Sequence, residues 1–98
     1  MKKENVTEAV VVVVDDDASV RAALKELIEY VGLEVRLYAS AGAFLEAGIP
    51  DATSCLVLDV RLPGMSGLKV QEQLSRAGVY VPIVFVTGHA DVAMACAQ

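Results

Sequence analysis

Five consecutive valines at residues 10–14 are followed directly by Asp15, Asp16 and Asp17. β-Branched side chains favour strands, and a strand that is apolar on both faces is typical of the centre of a parallel sheet. The sequence therefore predicts a buried strand that ends in three like charges. Two carboxylates about 4 Å apart repel by roughly 4 kcal/mol at an effective dielectric constant near 20, so such a cluster needs either a proton or a cation.

Strand-like apolar runs alternate with amphipathic helical patterns along the rest of the chain. Strands are predicted at residues 10–14, 34–38, 55–59 and 81–87. Helices are predicted at residues 20–31, 41–47 and 70–77, with a fourth in the alanine-rich residues after 90. The spacing places Arg21 on the charged face of the first helix, and Val70, Leu74 and Ala77 on the inward face of the third.

The alternation of strand and helix predicts one α/β domain, a parallel sheet with right-handed crossovers and helices on both faces. Ligands of such sheets bind outside the carboxyl ends of the strands. The most apolar strands end in Asp15 and Asp16, in Asp59 and in Thr87. We therefore expect three carboxylates and a hydroxyl to converge on one pocket.

Composition excludes several other functions. The chain of 98 residues has a net charge of −5, which argues against binding to nucleic acid or to anionic membranes. Its longest apolar run, residues 9–14, is much shorter than a membrane span, so we expect a cytoplasmic domain. Cys55 and Cys96 lack metal-site spacing and are interpreted as ordinary thiols.

Magnesium is the cation that best fits an all-oxygen acidic cluster, because zinc sites favour His and Cys. For any single aspartate, a solvated loop position or a helix cap is an equally good interpretation. Asp17 is interpreted as the N-cap of the first helix, accepting from Ser19 or Val20, in preference to a third metal ligand.

Three segments, VVVVDDD, CLVLDVRLPGMSG and PIVFVTGHADV, together resemble the response-regulator receiver domains of two-component signalling. The resemblance covers residues 9–98 and leaves residues 1–8 as an N-terminal tail. The segments DDDASVR, LDVRLPGMSG and TGHADV are most similar to FixJ/NarL-type regulators. The resemblance implies a flavodoxin-like (CheY-like) doubly wound sheet with strand order 2-1-3-4-5.

The resemblance also implies roles for individual residues. Asp59 would be the phosphoacceptor that takes a phosphoryl group from a sensor histidine kinase, in a signalling domain whose own chemistry is limited to this transfer and slow dephosphorylation. Asp15, Asp16, Asp59 and the main-chain carbonyl of Arg61 would hold Mg²⁺. Thr87 would be the switch hydroxyl that binds the new phosphate. Transcription control would need a separate output domain.

The chain departs from the family at its end. Receiver domains continue with a fifth strand, which carries a phosphate-pairing lysine, and a fifth helix, whereas this sequence ends eleven residues after Thr87. We therefore expect a truncated receiver whose fourth strand is an exposed apolar edge, and a homodimer formed by pairing of that edge or exchange of the last helix. The alternative function is an interaction module that dimerises without phosphorylation. Arg61 disfavours a dehalogenase-type enzyme, which would carry a second aspartate at that position.

Overall fold

The computed structural model describes residues 9–86 of the chain. Its strands are β1 (Val10–Val14), β2 (Glu34–Tyr38), β3 (Thr53–Asp59) and β4 (Ile83–Val86). Its helices are α1 (Ala18–Tyr30), α2 (Ala41–Ala47) and α3 (Gly67–Arg76). The four predicted strands and the first three predicted helices are therefore present. β3 starts at residue 53, two residues earlier than predicted, and β4 starts at residue 83, two residues later than predicted. Thr87 and the predicted fourth helix lie outside the described residues.

The four strands form one parallel sheet in the order β2-β1-β3-β4, as predicted. β1 lies between β2 and β3, with Val14 paired to Tyr38 on one side and to Leu58 on the other. Because β1 is covered by neighbours on both edges and by helices on the faces, all five of its valines are buried. This position explains the run of β-branched residues, since no side of the strand faces water.

The main hydrophobic core lies between the sheet and the helices α2 and α3. It contains the even-numbered valines of β1 together with Leu56 and Leu58, and these pack with Phe44, Val70 and Leu74 from the helices. The odd-numbered valines point to the opposite face, where α1 lies against β1 and β2. Helices therefore cover both faces of the sheet.

Each helix begins at a side chain that caps its first turn. Asp17 accepts hydrogen bonds from the amides of Ser19 and Val20, which confirms its predicted role. Ser40 caps α2 and Ser66 caps α3 in the same way. These caps satisfy amides that have no partner within the helix and fix where the loops at the carboxyl edge end.

Three details of the predicted helix faces are wrong. Arg21 is half-buried, because its side chain folds back toward the end of β1 instead of projecting into water. Leu27 and Val31 of the apolar stripe of α1 are 61% exposed within the described part of the chain. Ala77 is the exposed C-cap of α3, since the helix ends at Arg76. Between residues 9 and 86, no helix is both long enough and apolar enough to cross a membrane.

Candidate functional site

Three carboxylates meet at the carboxyl edge of the sheet. Asp15 and Asp16 follow β1, and Asp59 is the last residue of the neighbouring strand β3. One carboxylate oxygen of each residue lies within 4.8 Å of the others. Asp15 and Asp59 are only 1% and 4% exposed, whereas Asp16 is open to solvent. The predicted convergence of these three residues is therefore confirmed.

One oxygen of the Asp15 carboxylate accepts a hydrogen bond, and the other accepts none from the described residues. Its main-chain amide donates to the carbonyl of Tyr38 at 3.1 Å, which continues the pairing of β1 with β2. Its Oδ1 accepts from the amide of Asp17 at 2.9 Å. Its Oδ2 is buried and has no hydrogen-bond partner among the described residues. A buried oxygen without a donor is costly, so this atom favours binding of a proton or a cation.

Asp59 is held by the same local geometry as Asp15. Its Oδ1 accepts from the amide of Arg61, two residues further along the chain, at 2.9 Å. No hydrogen bond from the described part of the chain engages its second carboxylate oxygen. The next residue, Val60, donates its amide to the carbonyl of Val86 at 2.9 Å, which ties this turn to the end of β4.

Burial and like charge act together on Asp15. Loss of solvent raises the pKa of the Asp15 carboxyl, and the charges of Asp59, Asp16 and Asp17 raise it further. The hydrogen bond from the Asp17 amide lowers the pKa by a smaller amount than burial raises it, so the pKa lies above its ordinary value of 3.8. The site therefore favours any bound species that neutralises negative charge.

The donor set fits Mg²⁺. All three converging side chains offer carboxylate oxygens, and the buried Oδ2 of Asp15 accepts no hydrogen bond from the described residues. Hard oxygen ligands in small number are the usual protein contribution to a magnesium site. Cys55 is half-buried on β3, and burial raises the pKa of its thiol, which favours the protonated form over a metal-binding thiolate.

Gly67 allows the chain to return close to Asp59. A Cβ atom at residue 67 would lie 2.6 Å from the carbonyl oxygen of Asp59, which is well inside van der Waals contact. The amide of Gly67 also donates to the carbonyl of Val60 at 2.9 Å. The loop between β3 and α3 is therefore closed directly behind the acidic residue, as the turn-rich sequence suggested.

Arg61 and Thr87 are the other two predicted site residues. Arg61 lies in the exposed turn after β3, and its amide contacts Asp59; its carbonyl remains a predicted ligand. Thr87 is outside the described residues. Sequence reasoning missed the Arg21 side chain, which donates to the Asp15 carbonyl at 2.7 Å. Its position one helical turn after the cap Asp17 is the only sequence signal for that contact.

The comparisons with known proteins agree with this geometry. Residues 11–98 match the family described as "Response regulator receiver domain". The chain is 53% identical over 88 residues to nodulation protein W of Bradyrhizobium diazoefficiens, an alignment that covers 90% of this chain and 39% of the relative. It is 46% identical over 83 residues to the transcriptional regulatory protein FixJ of Azorhizobium caulinodans, covering 85% of this chain and 39% of that protein.

Solved structures of similar fold indicate the same family. The response regulator StyR has a TM-score of 0.79 and 44% identity, covering 92% of this chain and 48% of that one. Full-length FixJ from B. japonicum has a TM-score of 0.77 and 37% identity, covering 92% of this chain and 44% of that one. The fold and the acidic edge thus define a CheY-like α/β domain of the signalling type. The chain belongs to the response-regulator receiver domain family and spans about two fifths of the length of these curated relatives.

Replacing Gly67 with alanine should displace the backbone of Asp59. The new methyl group would overlap the Asp59 carbonyl, and overpacking of this kind costs about 1–3 kcal/mol. Gly42→Ala is the matched control, because a Cβ there meets nothing within 4 Å and the residue lies in α2. Urea unfolding should show a loss for the first variant, with the second within about 1 kcal/mol of the starting protein. Equal stability of the two variants would contradict the close approach.

Replacing Asp15 with asparagine should stabilise the metal-free protein. Because the pKa of Asp15 is raised, the folded state holds this proton more tightly than the unfolded chain, and stability falls as the pH rises through the raised pKa. Asparagine keeps the acceptor for the Asp17 amide and removes the charge. In EDTA, Asp15→Asn should therefore have the higher midpoint temperature at neutral pH, and its advantage should shrink as the pH falls below the raised pKa.

The exposed Asp51 provides the control for this charge effect. Asp51→Asn should leave the midpoint temperature nearly unchanged across the same pH range, since a solvated carboxylate has no burial penalty to relieve. A lower midpoint for Asp15→Asn than for the starting protein at neutral pH in EDTA would show that the buried charge is not destabilising.

Proposed function

We propose that this domain receives a phosphoryl group on Asp59 and thereby acts as the phosphoacceptor of a two-component response regulator. The observation that carries the proposal is that two further carboxylates lie within 4.8 Å of Asp59, whose second carboxylate oxygen accepts no hydrogen bond from residues 9–86. A nucleophile beside a site for a divalent cation is the minimum that phosphoryl transfer requires. Membership of the receiver family agrees with this role.

In the proposed reaction, the second carboxylate oxygen of Asp59 attacks phosphorus. The bond between phosphorus and the histidine nitrogen of the donor kinase breaks as the new oxygen–phosphorus bond forms, and the imidazole leaves. The Arg61 amide holds Oδ1 of Asp59, so the reactive oxygen has a fixed direction. The turn closed by Gly67 keeps the Asp59 backbone in place during the transfer.

The acids around Asp59 would hold the Mg²⁺ that neutralises charge in this reaction. Asp16 and Asp59, with Asp15 and the carbonyl of Arg61, would hold Mg²⁺ in the proposed site. When bound, Mg²⁺ supplies charge neutralisation for the phosphoryl oxygens. Thr87 is the proposed switch hydroxyl for the phosphorylated state. The curated relatives include proteins named transcriptional regulatory proteins, and we propose that the signal is passed to gene control by another part of a longer protein.

Incubation with Mg²⁺ and acetyl phosphate tests the transfer without a kinase. Intact mass should show a single adduct of about 80 Da, the mass of one phosphoryl group. Asp59→Asn should abolish the adduct because the amide cannot form an acyl phosphate. EDTA should suppress it because the crowded carboxylates then lack a neutralising partner.

Asp51→Asn is the control for this experiment, since Asp51 lies in the exposed turn before β3. This variant should be modified as readily as the starting protein. An adduct that persists in Asp59→Asn, or no adduct at any donor concentration, would reject Asp59 as the phosphoacceptor.

A second candidate function, dimerisation through β4, is favoured by the pairing pattern of this strand. Within residues 9–86, β4 has β3 as its single neighbour. The carbonyl of Pro82 accepts from Leu56 of β3 and that of Val86 from Val60, the residue after β3. The main-chain groups of Ile83 and Phe85 therefore face away from β3. These two residues are only half-buried. An apolar edge of this kind can pair with the same edge of a second copy.

Sedimentation equilibrium at tens of micromolar tests this pairing. We expect a dimer, because apolar side chains of β4, and main-chain groups that have no partner within residues 9–86, would gain partners. The measurement should be repeated after Asp59→Asn, which leaves β4 unchanged and should therefore leave the dimer intact. A monomer at all concentrations would exclude edge pairing.

A further inference from the structure

Arg21 bridges the loop that carries the acidic residues. Its main-chain amide donates to the carbonyl of Asp17 at 3.0 Å, as part of the first turn of α1. Its guanidinium Nη1 donates to the carbonyl of Asp15 at 2.7 Å. One residue therefore contacts both ends of the Asp15–Asp17 turn, once through its backbone and once through its side chain.

The guanidinium of Arg21 bonds to the main chain and forms no ion pair with a described residue. The ion pairs found within residues 9–86 involve Lys25, Arg36, Lys69 and Arg76, and none involves Arg21. Arg21 is half-buried and points at a main-chain oxygen, although several aspartates lie close to it in sequence. The side chain therefore contacts the backbone of the acidic loop and forms no ion pair with a carboxylate there.

The hydrogen bond from Arg21 to the Asp15 carbonyl restricts the positions of both Asp15 and Asp16. The peptide group that joins Asp15 to Asp16 is planar, so a fixed carbonyl also fixes the start of Asp16. On the other side of the turn, the Asp17 amide must reach Oδ1 of Asp15, a hydrogen bond of 2.9 Å that orients the buried carboxylate. Arg21 contacts the carbonyls of Asp15 and Asp17, and these contacts constrain the directions of the Asp15 and Asp16 carboxylates.

We propose that Arg21 is a positioning residue for the three-carboxylate site, acting through the carbonyl of Asp15 to hold Asp15 and Asp16 in the geometry that binds the cation. The inference rests on the proposed function, because it takes the bound species to be Mg²⁺. Arg21 itself is not a ligand and does not contact the phosphoryl group.

The charge of Arg21 and its hydrogen bond have opposite expected effects on cation binding. A positive charge near the site repels Mg²⁺, so if charge alone mattered, its removal would strengthen binding. Loss of the hydrogen bond would loosen the turn and weaken binding. Weaker Mg²⁺ binding after removal of the Arg21 side chain would therefore indicate the hydrogen-bonding role, and tighter binding would indicate the effect of charge alone.

Two variants and a control test the proposal. Arg21→Met keeps a long apolar stem and removes both donor and charge, whereas Arg21→Lys keeps a charged donor. Arg76→Met is the control, since Arg76 is a highly exposed arginine on α3 whose ion pair is with Glu72. Circular dichroism first establishes a temperature at which all variants are folded.

The first measurement is made without metal. Solvent exchange of the Asp17 amide, followed by NMR, reports whether the turn stays closed, because this amide bonds to Oδ1 of Asp15. Arg21→Met should accelerate the exchange by roughly tenfold, as expected for loss of one charge-assisted hydrogen bond. Arg21→Lys should recover part of the protection, and Arg76→Met should match the starting protein.

The second measurement is titration with Mg²⁺, followed by the amide shifts of Asp16 and Val60. The dissociation constant should rise by roughly tenfold in Arg21→Met and by less in Arg21→Lys. Unchanged exchange of the Asp17 amide, or Mg²⁺ binding that is unchanged or tighter in Arg21→Met, would overturn the proposal. If the starting protein binds no Mg²⁺, the proposed metal site fails and with it the role of Arg21 in cation binding, whereas the exchange measurement still shows whether Arg21 holds the turn.

Discussion

Repulsion among the carboxylates of Asp15, Asp16 and Asp59 is the constraint on which the carboxyl edge of this domain depends. The repulsion arises from the sheet, because neighbouring parallel strands end at the same edge and are followed or terminated by aspartates. Two of the acids are buried, so water does little to screen them. A neutralising partner that bound the folded state and not the unfolded chain would consequently stabilise the fold.

The sheet and the turns that follow its strands constrain these acids in different ways. Main-chain pairing with β2 and β4 fixes where Asp15 and Val60 lie. The directions of the Asp15 and Asp59 carboxylates are then set outside the sheet, by amides in the turns that follow the strands. Gly67 permits one of these turns to close against the backbone of Asp59. The sheet therefore determines position and the loops determine orientation.

The sequence predicted the sheet and the acids well because both follow from local patterns. The valines of β1, the period change at each element and the aspartates at strand ends can all be recognised without knowing the tertiary structure. The side chain of Arg21 could not be placed in this way, since helical periodicity assigns a face but not the reach of a long side chain. The exposure of Leu27 depends on which parts of the sheet α1 covers. The inward position predicted for Ala77 is wrong because α3 ends one residue earlier, at Arg76. These are tertiary properties, and a single sequence carries little signal for them.

The matching turns at Asp15 and Asp59 have a thermodynamic consequence for ligand binding. In both, one carboxylate oxygen is already bound to the amide two residues ahead, so the side chain is no longer free to rotate. Ordering a free side chain at a binding site costs about 0.5–1.5 kcal/mol, and here that ordering occurs when the chain folds. The two acids would therefore lose little conformational entropy on binding a cation, so that the affinity would depend mainly on charge and desolvation.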